Sequence, residues 1–358
     1  MARVSAVSDR VDDYDYEFPA EAIAQQPPEQ REDARLLLVD RDGDGLRDAR
    51  ITDLSSELRA GDLLVLNDTR VMPAKLSATR TSSGGRVSVL VLHARADGAT
   101  VLLGTRGTLA EGETLDVAGD TWRIARSLGE GRFEVEVASG RDVPTLMSDV
   151  GRMPLPPYIR RDAEADERDA LDRERYQTTF SEPGDTAAVA IAAPTAGLHF
   201  TPELLTAIEA RGVAVERLRL DVGEATFRPL RGESLDEHVM LSENYAIPQA
   251  LADRYATTRA AGGRVVAVGT TVVRSLESAV SADGRTLAVG PASSDLFIRP
   301  GHEFRAVDAL LTNFHQPRTS LLVLVSAFAG RDRILAAYAH ALTAGYRFFS
   351  YGDATFIR

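Results

Sequence analysis

The sequence contains no cysteine, which excludes disulfides, thiolate nucleophiles and iron–sulfur ligation. No apolar run approaches the roughly 20 residues that cross a bilayer as a helix. The N-terminus lacks the basic-then-apolar order of a secretory leader, so the expectation is a cytoplasmic protein with no membrane partner. Positive charge is in deficit: 41 Lys and Arg stand against 53 Asp and Glu, a formal net charge of -12. A general nucleic-acid binder needs a basic footprint that this balance does not supply; a local basic patch remains open. The six histidines are scattered without metal-ligand spacing, and no metal is expected. The P-loop, the dinucleotide-binding glycine pattern, the HExxH zinc motif and the GxSxG elbow are all missing.

What is there is an ordinary globular composition, 44% hydrophobic and 26% charged over 358 residues, long enough for two domains with separate cores. Arg35–Asp40 and Asp62–Asn67 read as strands, and Pro19–Gln26 as a short helix. Between residues 84 and 140 the pattern changes to short β-rich runs separated by Gly, Asp and Ala turns: Val87–His93, Thr100–Leu103, Thr121–Leu128 and Phe133–Val137. This predicts a small barrel or sandwich. Helix and strand then alternate again. Glu203–Gly212, Pro248–Gly262 and Arg331–Gly345 read as helices, and Val213–Leu220, Arg264–Val268 and Tyr346–Tyr351 as strands. The charged run 162–175 reads as a solvated helix or loop. The predicted fold is therefore an α/β core, discontinuous in sequence, with an inserted small all-β barrel-like domain. The expected boundaries are 1–62 and 150–358 for the core and 63–149 for the insert.

Two loops stand out. Ala193-Pro194-Thr195-Ala196-Gly197-Leu198-His199-Phe200-Thr201-Pro202 runs an apolar, histidine-bearing loop into a helix start, with Thr201 as cap and Pro202 in the first turn. Thr312-Asn313-Phe314-His315-Gln316-Pro317 repeats the Phe–His pairing. A titratable group at a helix mouth suits a ligand that is anionic or develops charge. Gly269-Thr270-Thr271 followed by Arg274 reads as strand, turn and helix, an anion cradle or an ordinary cap. Asp221 and Glu224 lie in a glycine-containing loop after a strand, as base, ribose holder or solvated turn. His238 and Glu243 could form a proton relay or serve structure alone. The rigid Gly151–Arg161 segment carries Tyr158 and Arg160, which could stack on and pair with a nucleotide, or serve as a linker.

In this order, these segments closely resemble the S-adenosylmethionine:tRNA ribosyltransferase-isomerase family of queuosine biosynthesis. The resemblance also rests on Leu66–Val71, Met153–Ile159, Arg175–Thr178, Arg274–Ser278, Leu324–Gly330 and Tyr346–Ala354. It implies an α/β core with an inserted barrel. It also implies transfer and isomerisation of the ribosyl group of S-adenosylmethionine onto 7-aminomethyl-7-deazaguanine in tRNA, releasing adenine and methionine and leaving an epoxycyclopentanediol. No cofactor is implied beyond S-adenosylmethionine as substrate. That chemistry needs a base for the acidic 5′ carbon beside the sulfonium, a proton donor for adenine and a base for the attacking amine.

His199, His315 and His238 are the expected proton carriers, with Asp221, Glu224 and Glu243 as carboxylate candidates. Thr195, Gly197, Gly269, Thr270, Thr271, Arg274, Asn313, Phe314, Tyr158, Arg160 and Asp353 are the expected substrate-binding residues. Arg274 with the two threonines would hold the methionine carboxylate or a phosphate. The family usually has His at the positions of Asp221 and Leu241, Gly at Ala225 and Glu at Ser88. These departures leave two acceptors in view, tRNA and a small molecule. A nucleic-acid-binding module without enzymatic activity is the third reading, and monomer and homodimer both fit the sequence.

Overall fold

The computed structural model describes residues 9–43, 45–162, 166–182, 190–223, 230 and 232–358. The chain divides into two compact units. One comprises Met1–Asp68, Thr178–Ser181 and Pro194–Arg358; the other comprises Thr69–Gln177 and Glu182–Ala193.

The first unit contains β1 (Arg35–Val39), β2 (Leu46–Arg50), α1 (Leu54–Glu57) and β3 (Leu63–Asn67). The second contains β4 (Lys75–Arg80), β5 (Arg86–Arg95), β6 (Gly98–Thr105), β7 (Thr114–Val117), β8 (Asp120–Gly129), β9 (Arg132–Ser139), α2 (Val143–Val150) and α3 (Asp169–Arg175). The chain then returns to the first unit with α4 (Pro202–Glu209), β10 (Ala214–Leu220), β11 (Glu243–Ile247), α5 (Gln249–Ala260) and β12 (Val265–Val268). It finishes with α6 (Thr270–Ala279), β13 (Gly290–Ser294), β14 (Ala309–Asn313), α7 (Ser320–Ala329), α8 (Arg331–Thr343) and β15 (Ala354–Ile357). No helix among the described residues is long and apolar enough to cross a membrane.

The first unit is built on a nine-stranded mixed sheet ordered β13-β11-β10-β3-β12-β14-β15-β1-β2. Strands β3, β12 and β14 read LLVLN, VVAV and ALLTN and are buried at every position. Near-continuous apolar runs of this kind belong to parallel strands covered on both faces. β10, β3, β12 and β14 run parallel, and β15 returns antiparallel to β14. The carboxyl ends of four strands and the start of β15 therefore share one edge of the sheet. In open α/β sheets, that edge is where ligands bind.

The second unit is a closed antiparallel barrel, β4-β5-β6-β9-β8-β7. Its strands alternate: Val87, Val89 and Val91 of β5 face inward with Trp122 and Ile124 of β8. Val143, Leu146 and Met147 of α2 join the same core. Asp142 caps α2, accepting from the Thr145 N–H at 2.8 Å.

The units do not follow the expected boundaries of 62/63 and 149/150. Residues 63–67 form a central strand of the sheet, because Leu63–Leu66 are too uniformly apolar for a barrel wall with one wet face. Residues 150–177 stay with the barrel. There Arg152 bridges Lys75, exchanging backbone bonds of 3.1 and 2.9 Å. This bridge requires Gly151: a Cβ there would lie 1.9 Å from the Pro73 carbonyl oxygen and 2.4 Å from that of Met147. Both obstacles are backbone atoms. Gly151→Ala is expected to destabilise the barrel unit by about 1–3 kcal/mol, read as a lowered midpoint in thermal unfolding. An unchanged midpoint would show that the segment has room to move.

Candidate active site

The loop before α4 is a single helical turn, Thr195–His199. Thr201 accepts from the Leu204 N–H at 3.2 Å, capping α4 with Pro202 in its first turn as expected. Gly197 is needed by close approach: a Cβ would come within 2.9 Å of Thr178 Cγ2 and 3.0 Å of the Phe180 ring. Ala196 in turn faces Gly269, whose φ of +91° places it in backbone territory that favours glycine. Gly269 donates to the Leu311 carbonyl at 2.8 Å and α6 begins at the next residue. Asn67, at the end of β3, ties the same edge together. Its amide nitrogen donates to the Leu220 carbonyl (3.0 Å) and the Thr271 hydroxyl (3.4 Å), and its oxygen accepts from the Leu220 N–H (3.1 Å).

His199 is buried at this edge against Asn313, the last residue of β14. Asn313 Nδ2 lies 3.3 Å from His199 Nε2, 3.2 Å from the Phe349 carbonyl and 3.5 Å from that of Asp353. The Phe349 carbonyl fixes the amide with its nitrogen toward the ring and takes one of its two N–H groups; the other is left for Nε2, which accepts, and the neutral ring carries its proton on Nδ1. Burial, with Arg31 and Arg347 nearby, lowers the His199 pKa to about 4. Asn313 Oδ1 is buried without a hydrogen-bond partner among the described residues.

His315 lies two residues beyond β14. Its Nε2 is 2.9 Å from the Thr312 hydroxyl, its N–H donates to Tyr338 Oη (2.9 Å), and its carbonyl accepts from Tyr16 Oη (2.6 Å). Burial lowers its pKa to about 3. Phe314 stacks on Phe348 at 4.4 Å between centroids, placing it in the aromatic core behind the site. Asp353 accepts from the Arg35 N–H (2.9 Å) and the Arg347 N–H (2.8 Å). Its carboxylate thus clamps the 347–353 loop to β1. Burial raises its pKa against the pull of those two bonds.

Other expected residues fall elsewhere. Arg274 on α6 is buried and turned to Glu243 in an ion pair, and also donates to the carbonyls of Leu296 and Ser294, each at 3.2 Å. Glu243 accepts from the Gly223 N–H at 3.0 Å. The pair joins α6, β11 and β13 and underpins the loop after β10, where Asp221 stands half-buried. Glu224 and Ala225 lie outside the described residues. The expected His238–Glu243 relay is not what the described contacts show: His238 packs on Phe297 at 5.0 Å and sets Nε2 3.3 Å from Met240 Sδ, while Glu243 is engaged by Arg274. Tyr158 and Arg160 belong to the barrel unit. Thr195 is half-buried and Thr270 is buried at the edge. Among the described residues, no group of three or more His, Asp or Glu is placed to hold a metal ion.

The sequence reading missed Arg31 and Arg347, and placed Asn67 at a strand end within a matching segment without a site role. Arg31 donates to the Leu198 carbonyl at 2.6 Å, and Arg347 to that of Tyr351 at 3.0 Å. Arg347 sits inside a segment that had been singled out, whereas nothing around Arg31 marks it.

A family model described as "Queuosine biosynthesis protein" matches residues 11–357. The chain is 46% identical to the S-adenosylmethionine:tRNA ribosyltransferase-isomerase of Geobacter sulfurreducens, covering 97% of this chain and 99% of that protein. It is 47% identical to the protein of that name from Anaeromyxobacter, over 96% and 98% of the two chains. The crystal structure of a Thermotoga maritima S-adenosylmethionine tRNA ribosyltransferase superposes with a TM-score of 0.53 at 30% identity, covering 97% of this chain and 100% of the other. The chain belongs to the queuosine biosynthesis protein family whose members include the S-adenosylmethionine:tRNA ribosyltransferase-isomerases.

Proposed function

We propose that this protein is a cytoplasmic S-adenosylmethionine:tRNA ribosyltransferase-isomerase. It transfers and isomerises the ribosyl group of S-adenosylmethionine onto the aminomethyl arm of 7-aminomethyl-7-deazaguanine in tRNA. Adenine and methionine leave, and S-adenosylmethionine enters as substrate with no further cofactor. The observation that carries this reading is His199, held in one tautomer by Asn313 at the carboxyl edge of the sheet. A neutral imidazole with Nδ1 protonated can donate to adenine as negative charge builds on the leaving ring. His315, also neutral, is a proton acceptor. A buried site keeps water from reactive intermediates.

The test is to incubate the protein with S-adenosylmethionine, with and without tRNA bearing the 7-aminomethyl-7-deazaguanine base, and to quantify adenine and methionine. Release of both only with tRNA, together with a gain in tRNA mass, is the expected result. Release without tRNA would overturn the acceptor assignment in favour of a small molecule or cleavage of the cofactor itself.

A further inference from the structure

The barrel unit has a cleft of about 270 Å³ whose charged lining is Lys75, Arg152, Arg160, Arg161, Asp169 and Asp172. Four cations against two carboxylates leave a positive surplus, in a chain whose net charge is -12. The carboxylates hold particular partners. Asp172 takes the buried Arg161 guanidinium by two bonds of 2.6 and 2.9 Å, and Asp169 takes Arg152 at 2.7 and 2.9 Å. Lys75 makes no side-chain hydrogen bond or ion pair among the described residues, and it is exposed at the mouth of β4. Pro156 and Pro157 form part of the wall, and Ile159 donates back to the Pro156 carbonyl at 3.0 Å in a tight turn. A wall this rigid needs little ordering when a ligand arrives.

Lys75 is also the only lysine among the chain's 41 basic residues. Everywhere else positive charge is supplied by arginine, whose fork suits bidentate pairing with carboxylates, as at Arg161. Lysine supplies a compact point charge with rotatable donors, which suits one phosphate oxygen approaching from solvent. Partial burial by the cleft walls and the nearby Arg152 lower the Lys75 pKa, against the pull of Asp169. An ammonium that is crowded by like charge gains from an arriving anion.

We propose that this cleft seats a backbone phosphate of the tRNA acceptor, with Lys75 as the principal contact and Arg160 beside it. The inference rests on the tRNA reading above and deepens it, because it gives the barrel unit a share in holding the acceptor.

A single lysine makes a direct test available. Reductive methylation of the intact protein, read by mass spectrometry with the backbone α-amine as internal reference, reports on Lys75 alone among side chains. Substrate tRNA is expected to slow Lys75 methylation about tenfold, while S-adenosylmethionine or inorganic phosphate at the same concentration leaves it unchanged. In parallel, Lys75→Gln combined with Arg160→Gln is expected to raise the KM for tRNA about tenfold with little change in kcat. The same pair should lower the salt dependence of tRNA binding by about one unit of log–log slope, the share of one phosphate. Lys75→Arg, which keeps the charge, should restore most of the loss in the single-site background.

If tRNA supports adenine release but leaves Lys75 as reactive as before, the cleft proposal is overturned while the enzymatic reading stands. Protection by S-adenosylmethionine would also overturn it, because the anion seated there would then be the methionine carboxylate. If the wild-type protein neither binds tRNA nor releases adenine with it, both readings fall.

Discussion

His199→Gln is expected to lower tRNA-dependent adenine release about 10²- to 10⁴-fold, the usual worth of a positioned proton donor. The side-chain amide of glutamine can still take the hydrogen bond from Asn313 through its oxygen, so the 347–353 loop keeps its anchor and the melting temperature should change little. The pH profile separates proton transfer from packing. Wild-type His199 is neutral down to about pH 4, so the acid limb of kcat/KM should lie well below the usual histidine range. Asn313→Asp replaces the amide donor by a carboxylate. An opposite charge beside the ring favours imidazolium, and that limb should move to higher pH. Turnover by His199→Gln within a few-fold of wild type would end the assignment of His199 as proton donor.

The two depressed histidines also make the fold acid-sensitive, and the sign follows from linkage. In the unfolded chain each imidazole takes a proton near pH 6.5, whereas in the folded chain this happens near 4 for His199 and 3 for His315. Over that interval the unfolded state binds more protons, so stability rises with pH. Stability is complete above about pH 6.5 and is lost progressively as pH falls toward 3, at about 1.4 kcal/mol per unit of displacement for each group. Urea titrations at pH 7 and pH 5 should show the lower midpoint at pH 5. Equal midpoints would mean that neither ring is held neutral.

The sequence disclosed those parts of the fold that repeat at short range. Val213–Leu220, Pro248–Gly262 and Arg331–Gly345 became β10, α5 and α8 with ends moved by at most two residues, because their periodicity and caps are local. The barrel strands 87–93 and 121–128 were legible for the same reason, through alternation. Tyr346–Tyr351 was not. Its aromatic run looks like a strand, but Phe348 stacks on Phe314, and Phe349 turns to a φ of +71° with its carbonyl on Asn313. Packing across the chain overrode local β preference. The site divides in the same way. Gly197, His199, Gly269 and Asn313 announced themselves as unusual residues at element ends. The Arg274–Glu243 pair spans 31 positions and the Asn67–Leu220 bonds span 153. No spacing rule reaches that far, so an arginine at a helix start read as a ligand holder when its guanidinium was already engaged.

That engagement sets the second large effect. Arg274→Met is expected to destabilise the sheet unit by about 3–5 kcal/mol, because it leaves the Glu243 carboxylate buried without its cation. For a domain of this size, that corresponds to a fall of roughly 10 °C in melting temperature. Arg274→Lys should rescue little, since an ammonium cannot reach Glu243 and the Leu296 and Ser294 carbonyls with the fixed geometry of a guanidinium. Adding Glu243→Gln to Arg274→Met should recover part of the loss, because the orphaned charge is then gone, and the double-mutant cycle should show a coupling above about 1 kcal/mol. An Arg274 that instead held the methionine carboxylate would give the opposite pattern: a normal melting temperature, additive single effects and a raised KM for S-adenosylmethionine. The buried ion pair favours the first outcome. It fixes α6 against β11 and β13, and through the Gly223 N–H on Glu243 it holds the base of the loop that follows β10. Activity lost in Arg274→Met should therefore come with a change in that loop, measurable as increased hydrogen exchange at residues 221–223, rather than with loss of a direct contact to substrate.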